Sequence, residues 1–213
     1  MTEQESEKKW NEYLYDNSDV LINKFNCTNF EELKKIETTI TFQKLLELQD
    51  IDYTDKFDKN YLRKIHKYIF GEVYPFAGEY RKVNMMKTRG NFLMMRNIDD
   101  IDIYLDELFT RTDIELKSCY NIYQFAEVLS KLYTLLIYCH PFREGNGRCI
   151  REFIREFSIV KSKEINFGEY ELKWNLIDKE ELNKNIEVAH ILPGATTILF
   201  VKALVDISSN KKM

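Results

Sequence analysis

The sequence predicts a mainly α-helical protein with one β-hairpin. Only seven Gly and three Pro occur in 213 residues, which favours long, uninterrupted helices over strands joined by tight turns. Apolar residues recur at the three- and four-residue spacing of a helix along most of the chain. One segment, residues 81–95, instead alternates with period two around a glycine-containing turn, the pattern of a hairpin.

Composition limits the classes of function. Hydrophobic residues make up 44% of the chain and the net charge is −4, so we expect one compact unit without a basic footprint for nucleic acid. No apolar run approaches the roughly 20 residues that cross a bilayer, and the first ten residues form no signal core. Isolated cysteines suit a reducing compartment. We therefore expect a cytoplasmic protein with no nucleic-acid or membrane partner; its cysteines are Cys27, Cys119, Cys139 and Cys149.

The amino-terminal third contains two predicted helices after an initial arm. Residues 10–25 indicate a short helix and an arm. Thr28-Asn-Phe-Glu31 resembles a capping box and begins a helical pattern that continues to about Leu48. The next helix carries apolar residues at helical spacing, and we expect Gly71 to end it as a left-handed cap; these residues are Tyr61, Ile65, Ile69 and Phe70.

The predicted hairpin is the only strand pair that the pattern supports. Val83, Met85, Phe92 and Met94 alternate around residues 88–91. A hairpin edge can accept an extended peptide as an added strand. A surface hairpin without a binding role is an equally good interpretation of the pattern.

The remaining chain predicts five helices. Residues 101–108 are helical, and 121–138 form the clearest helix, with one buried apolar stripe. Another begins near Gly147. Asp178 and Glu181 cap a helix that extends to about residue 189, and the last covers roughly 196–205.

The segment HPFREGNGRCIR, residues 140–151, lies between two of these helices. Gly145 and Gly147 flank Asn146 where the second helix begins, and glycines adopt backbone conformations closed to other residues. Successive amide N–H groups at such a helix start can bind one anion, aided by the helix dipole. We therefore predict an anion nest at residues 145–147.

Charged side chains around this nest predict nucleotide chemistry. Arg148 and Arg151 share a helix face and can both reach one polyphosphate. Glu144 lies beside the nest, where a bridging Mg²⁺ would relieve its repulsion from phosphate. His140 has an imidazole suited to taking a proton from a hydroxyl. The set predicts a nucleotide-transfer site.

Each feature has a simpler interpretation when taken alone. A histidine at a helix end is usually a cap, and Gly-Asn-Gly is usually a plain turn. A solvated face with salt bridges is the interpretation we favour for Arg155, with Glu152 and Glu156 beside it. The joint occurrence of all these features within twelve residues makes the simple interpretation of the whole set improbable.

The motif is similar to the signature of the Fic family, HPFx(D/E)GNGRxxR. Residues 65–81, IHKYIFGEVYPFAGEYR, resemble the stretch before that family's flap, and 87–92, KTRGNF, resemble the flap. Residues 13–24 resemble its amino-terminal arm, so the likeness covers roughly 10–200.

This resemblance implies a helical bundle with one β-hairpin flap. It implies an amino-terminal arm and helices packed on the core in residues 1–50, and a Fic domain with carboxy-terminal helices in 51–213. The implied activity is transfer of AMP from ATP to a Tyr, Thr or Ser hydroxyl of a target protein, with Mg²⁺ as cofactor and pyrophosphate as product.

The resemblance also assigns roles to residues. His140 is the implied base, and Glu144 the implied Mg²⁺ ligand. The anion hole and the phosphate-binding arginines are Gly145, Asn146, Gly147, Arg148 and Arg151, while Pro141 and Phe142 set and anchor the loop. In the flap, Phe92 would clamp the target, and Lys87 and Thr88 would approach the nucleotide.

The resemblance leaves two points undecided: how the activity is regulated and which molecule donates the transferred group. The family's inhibitory motif, (S/T)xxxE(G/N), has no full match. The nearest, Thr28 to Glu32, is followed by Leu33 and is better interpreted as a helix cap. Inhibition would then come from a small antitoxin-like partner, or a brake would be absent. The alternatives to AMP transfer are another nucleotide or phosphate donor, AMP removal, and a non-catalytic binding module.

Overall fold

A computed structural model describes residues 3–50, 56–89, 91–189 and 191–208, with side chains at all of these except 3, 50 and 86–94. The described chain is built from helices and two small sheets. In chain order the elements are α1 (Glu3–Asn11), α2 (Phe30–Glu47), α3 (Lys59–Phe70), β1 (Met86–Arg89), β2 (Asn91–Met94), α4 (Ile101–Leu116), α5 (Ile122–Cys139), α6 (Asn146–Glu164), β3 (Tyr170–Leu172), α7 (Lys179–Val188), α8 (Thr197–Ala203) and β4 (Leu204–Asp206).

Helix α5 forms the centre of the bundle, with α4, α6 and α8 packed against it. The predicted apolar stripe explains this position because one face of the helix is sealed from solvent. Ile122 at the start of the stripe is half-buried, and the other five residues of the stripe are buried: Phe125, Ala126, Leu129, Leu132 and Leu136. The helix ends at Cys139, so the motif begins directly after this central helix.

Helix ends follow local chemistry with two corrections. The N-cap of α2 is Asn29, whose Oδ1 accepts the Glu32 N–H at 3.0 Å, and the predicted box at Thr28 is one residue too early. The cap of α7 is confirmed, because Asp178 Oδ1 accepts the Glu181 N–H at 2.7 Å. The predicted left-handed cap at Gly71 is wrong, since Gly71 has a φ of −64° and continues the helical turn.

The predicted hairpin is confirmed in its backbone. Strands β1 and β2 pair antiparallel, from Met86 with Met94 to Arg89 with Asn91. The side chains of Lys87, Thr88 and Phe92 lie outside the described ones.

A second sheet contradicts the prediction that this hairpin is the only strand pair. Strands β3 and β4 pair from Tyr170 with Asp206 to Leu172 with Leu204, and α8 therefore ends at Ala203 rather than near 205. Three-residue strands are too short to display a period-two pattern, so no recognisable sequence pattern marks them.

Helix α6 carries a buried ion pair where the sequence suggested a solvated face. Arg155 is 6% exposed, and its Nη2 lies 2.6 Å from Glu152 Oε1. Its Nη1 lies 3.4 Å from Glu171 of β3. The strand packs on this helix face and removes it from solvent, which the helical pattern alone could not indicate.

Among the described helices, none combines the length and apolar character needed to span a bilayer.

Candidate active site

A cavity of about 330 Å³ lies at the amino-terminal end of α6. It is bordered by the loop between α5 and α6 and by the two residues that flank the hairpin, Met85 and Met95. Seven residues predicted to form a site line this cavity together: His140, Glu144, Gly145, Asn146, Gly147, Arg148 and Arg151. Arg143, which the sequence reasoning did not single out, lines it too.

His140 is held in an unusual backbone conformation. It is the left-handed C-cap of α5, with φ 48° and ψ 60°, and its N–H donates to Leu136 O at 3.0 Å. A left-handed residue other than glycine costs about 1 kcal/mol or more. The ring Nδ1 lies 3.4 Å from Ile137 O. Because a carbonyl only accepts, this hydrogen bond places a proton on Nδ1, and when the ring is neutral its lone pair is on Nε2.

The Asn146 side chain closes the loop. Its Oδ1 accepts the Phe142 N–H at 2.9 Å and its Nδ2 donates to Phe142 O at 2.7 Å. Asn146 is 2% exposed. The amide of this residue therefore fixes the loop across four residues, and only its backbone N–H is available to the predicted nest.

The two motif glycines serve different purposes. Gly145 has φ +77°, and a Cβ there would lie 2.3 Å from Phe70 Cζ. Gly147 is inside the first turn of α6 with an ordinary φ, and a Cβ there would approach Arg151 Nη1 at 3.3 Å. The expectation of a special backbone conformation is therefore wrong for Gly147, whose missing side chain instead leaves room for Arg151.

The start of α6 offers free donors and a favourable field. Gly145 is its N-cap, and no side chain caps it. The first helical bond runs from Cys149 N to Gly145 O, so the N–H groups of residues 146–148 precede the helical hydrogen bonds. In a 19-residue helix these donors and the macrodipole favour an anion.

Arg148 is oriented by α2. Its Nη2 lies 2.6 Å from Glu37 Oε1, and its Nη1 donates to Thr41 Oγ1 at 3.1 Å. The Tyr74 hydroxyl donates to the other oxygen of Glu37. The guanidinium also lies over the Phe70 ring, 4.7 Å from its centroid. No sequence motif signalled these partners.

Arg151 has a different environment. Among the described residues, no carboxylate lies within ion-pair distance of it. Its backbone carbonyl accepts from Trp174 Nε1 at 2.9 Å. Burial raises the pKa of the neighbouring Tyr133, and the charge of Arg151 opposes that rise. Arg151 therefore differs from Arg148, whose guanidinium is held in an ion pair with Glu37.

His66 holds the loop from beneath. Its Nδ1 accepts the Gly78 N–H at 2.9 Å, so Nε2 carries the proton and donates to Glu144 O at 2.9 Å. The ring stacks on Phe142 with centroids 3.8 Å apart. Burial lowers the pKa of His66 to about 4, which keeps it neutral. A histidine on the apolar face of a predicted helix, next to Ile65 and Ile69, was the signal available for it.

Glu144 points a half-exposed carboxylate at the cavity. Its Oε1 accepts the Gly145 N–H at 2.9 Å and lies 3.9 Å from Arg148 Nη2. Among the described residues, no three His, Cys, Asp or Glu side chains group as a protein-only metal cage. One accessible carboxylate beside an anion site fits a cation that takes its other ligands from phosphate and water.

Arg143 adds a third guanidinium to the cavity wall. It lies over the Trp10 ring at 4.0 Å and 5.6 Å from the Tyr13 centroid. The amino-terminal arm therefore contributes to one side of the cavity. For Lys87, Thr88 and Phe92 the structure gives only their places in β1 and β2.

A helical bundle whose two central helices are joined by a loop bearing histidine, glycines and arginines, with a hairpin beside it, is the architecture of a Fic domain. The model of the Fic/DOC family matches residues 56–158. The match covers just under half of the chain and identifies this part of it as a Fic/DOC domain.

Solved and curated relatives agree with this assignment. The N-terminal Fic domain of a VirB-translocated Bep effector protein from Bartonella quintana, solved with bound ADP, has 25% identity and a TM-score of 0.81, covering 93% of this chain and 96% of that one. Protein adenylyltransferase VbhT of Bartonella schoenbuchensis is 25% identical over 91% of this chain, and a protein adenylyltransferase of Bartonella henselae is 26% identical over 80%. The aligned regions span only 39% and 32% of those two relatives.

Proposed function

We propose that this chain is a protein adenylyltransferase that moves AMP from ATP to a Tyr, Thr or Ser hydroxyl of a target protein. One observation carries the proposal: a single cavity collects the His140 imidazole, the Glu144 carboxylate, the open start of α6 and the guanidinium of Arg151. Relatives named protein adenylyltransferase, and a similar Fic domain with bound ADP, support the nature of the donor.

The phosphates of ATP would occupy the start of α6. The N–H groups of residues 146–148 and the helix field would hold one phosphate group, and Arg151 would hold another with paired N–H donors. Arg148, fixed by Glu37 and Thr41, adds positive charge without needing to reorient. Such preorganised charge supplies most of the rate in phosphoryl-type transfers.

The chemical step follows from the tautomer of His140. Its Nε2 takes the proton of the target hydroxyl while that oxygen forms a bond to the α-phosphorus. The bond from the α-phosphorus to the oxygen bridging it to the β-phosphorus breaks, and pyrophosphate leaves with the bonding electron pair. The products are a phosphodiester-linked AMP on the target and a protonated His140, which later returns its proton to solvent.

Glu144 would hold Mg²⁺ together with phosphate oxygens and water. When bound, the ion supplies positive charge that offsets the build-up of negative charge on the phosphates. The protein contributes the orientation of the carboxylate, because the Gly145 N–H fixes Oε1 and His66 fixes the backbone of the same residue.

The hairpin would bind the target as an added strand. Its two-stranded form leaves edges available to an extended peptide, and its base borders the cavity at Met85 and Met95. In this arrangement Phe92 would clamp the modified side chain, and Lys87 and Thr88 would face the nucleotide.

Inhibition would be supplied by a separate, small antitoxin-like protein. Glu32, the only near match to an inhibitory glutamate in the sequence, is exposed and sits in the capped first turn of α2. Arg151 lacks a carboxylate partner among the described residues. A glutamate from a partner could therefore occupy the position of a phosphate on Arg151.

Labelling from two positions of ATP tests the activity. The protein is incubated with Mg²⁺, a cell lysate and ATP labelled at either the α- or the γ-phosphate. We expect labelled protein only from the α position, and its loss in His140→Ala. Labelling from the γ position would indicate phosphate transfer, and labelling from α-labelled UTP or GTP but not ATP would indicate another donor. No labelling from any nucleotide would favour a binding module.

Arginine variants provide the matched control. Arg151→Ala removes one of the three guanidinium groups that line the cavity and should raise the KM for ATP by about tenfold or more, the scale of a lost charged hydrogen bond. Arg111→Ala removes an exposed arginine of α4 that lines no part of this cavity. Equal effects of the two substitutions would contradict the proposed phosphate site.

A further inference from the structure

Arg81 is a buried cation that no motif assigned to the site. It is 3% exposed, and its guanidinium donates to four backbone carbonyls. Nε donates to His140 O at 2.8 Å, and Nη1 donates to Val83 O at 2.7 Å. Nη2 donates to Arg96 O and, at 3.3 Å, to Cys139 O. Among the described residues, no carboxylate pairs with it.

These four carbonyls belong to two different parts of the molecule. Val83 and Arg96 lie on the two backbone segments that enter and leave the hairpin, whose strands cover 86–89 and 91–94. Cys139 and His140 are the end of α5. One rigid guanidinium therefore ties both legs of the hairpin to the residue that carries the cavity imidazole.

Two backbone hydrogen bonds reinforce the same junction. The Arg81 N–H donates to Pro141 O at 2.8 Å, and the Arg96 N–H donates to Tyr138 O at 3.4 Å. The junction is thus spread over both legs of the hairpin and over residues on either side of His140.

The chemistry explains why arginine occupies this place. The last carbonyls of a helix lack intrahelical partners and carry the negative end of its dipole, so a cation there is favourable. His140 ends α5 in a left-handed conformation, which turns its carbonyl away from the helix direction. A planar fork with five donors can satisfy carbonyls on several sides, whereas the lysine ammonium has three donors at one point.

The nucleotide cradle is held by other contacts. Asn146 closes the loop onto Phe142, and His66 supports Glu144, and neither contact involves Arg81. Removing the Arg81 guanidinium should therefore leave the start of α6 intact while it loosens the hairpin and His140 together.

We propose that Arg81 is a positioning residue that couples the hairpin to His140, so that docking of a target strand and alignment of the imidazole depend on one side chain. This proposal rests on the proposed transferase function. It makes Arg81 necessary for the transfer step and largely dispensable for binding ATP.

Substitution at Arg81 should separate these two steps. Initial rates of protein labelling are measured against the concentration of α-labelled ATP at a fixed amount of lysate. For Arg81→Gln we expect a maximal rate about 100-fold lower, the effect of a misplacement of about 1 Å, with the KM for ATP changed less than about twofold. Arg81→Lys should recover part of the rate because it keeps the charge at the end of α5. A proportionate rise in KM, or a full rate in folded Arg81→Gln, would overturn the proposal.

Arg63→Gln is the matched control. Arg63 also donates to a backbone carbonyl, that of Gly78 at 2.9 Å, in the segment that connects α3 to β1 and contains Arg81. It contacts neither the hairpin nor His140 in the described structure. Its labelling rate should equal that of the unsubstituted chain. If Arg63→Gln lowers the labelling rate as much as Arg81→Gln does, the effect comes from disturbing the segment between α3 and β1 and not from the contacts of Arg81 with the hairpin and His140.

Hydrogen exchange tests the coupling without any activity. In Arg81→Lys, amides in both 83–96 and 138–140 should exchange faster than in the unsubstituted chain, while those of α3 and α6 should not change. Faster exchange in one segment alone would refute the coupling. Absence of labelling by the unsubstituted chain would instead remove the transferase function and leave the exchange result to stand by itself.

Discussion

The two motif glycines allow one chemical change to be tested at two sites with opposite expected results. Gly145→Ala places a methyl group at φ +77°, which costs an ordinary residue about 1–2 kcal/mol. The same methyl would lie 2.3, 2.4 and 2.8 Å from three carbons of the Phe70 ring. That ring is fully buried and lies 4.8 Å from the His66 ring, so it cannot swing away. Overpacking of this kind costs a further 1–3 kcal/mol or so.

We therefore expect Gly145→Ala to lower the free energy of unfolding by about 2–5 kcal/mol, the sum of the two costs. Gly147→Ala meets only Arg151 Nη1, at 3.3 Å, and replaces a helical glycine, so stability should be unchanged or higher by up to about 1 kcal/mol. Because the Arg151 side chain must move in Gly147→Ala, the KM of this variant for ATP should rise severalfold.

Urea unfolding of both variants at pH 7, followed by circular dichroism, measures the difference. ATP-dependent labelling then measures the KM for ATP of whichever variants remain folded. If Gly145→Ala lowers the free energy of unfolding by less than about 1 kcal/mol and leaves the m-value for urea unchanged, the argument from strain and steric overlap is refuted. A Gly147→Ala variant as unstable as Gly145→Ala would refute the assignment of different purposes to the two glycines.

Substitutions at three further residues test buried and half-buried contacts made by α6. Asn146→Ala leaves two buried backbone groups of Phe142 without partners and should cost about 2–5 kcal/mol in urea unfolding, whereas Asn146→Asp, which keeps one acceptor, should cost less. Glu37→Gln weakens the half-buried ion pair with Arg148 and should cost about 1–2 kcal/mol; no measurable change would show that solvent replaces the pair. Burial raises the pKa of Glu156 well above its ordinary value, so the folded chain holds a proton that the unfolded chain releases, and stability should fall as the pH rises from about 5 to 8. In Glu156→Gln the free energy of unfolding should depend less on pH across this range. An unaltered dependence on pH would contradict the raised pKa of Glu156.

Much of the fold could be predicted because the sequence pattern of a helix involves residues that are close together in the chain. The stripe of α5 and the cap at Asp178 each depend on residues a few positions apart, and both were predicted. The sheet of β3 and β4 was missed because its strands are 3 residues each and pair across more than thirty positions. Arg155 was misjudged because its burial depends on β3 covering α6.

The sequence by itself determined seven of the residues that line the cavity. Residues 140–151 are consecutive, so the end of one helix, a short loop and the start of the next place His140, Glu144 and Arg151 around one point through backbone geometry alone. Glycine at 145 and an uncapped helix start are likewise local properties that a reader of the sequence can infer.

Only the tertiary structure decided how those residues are held. Glu37 reaches Arg148 across 111 positions of chain, His66 supports Glu144 across 78, and Arg81 bonds to His140 across 59. Contacts between distant segments depend on how helices pack and which side chains face each other, and an ion pair or a guanidinium fork carries no periodic signal along the chain. Local chemistry therefore identifies the groups that line the cavity, while packing between elements fixes their orientation.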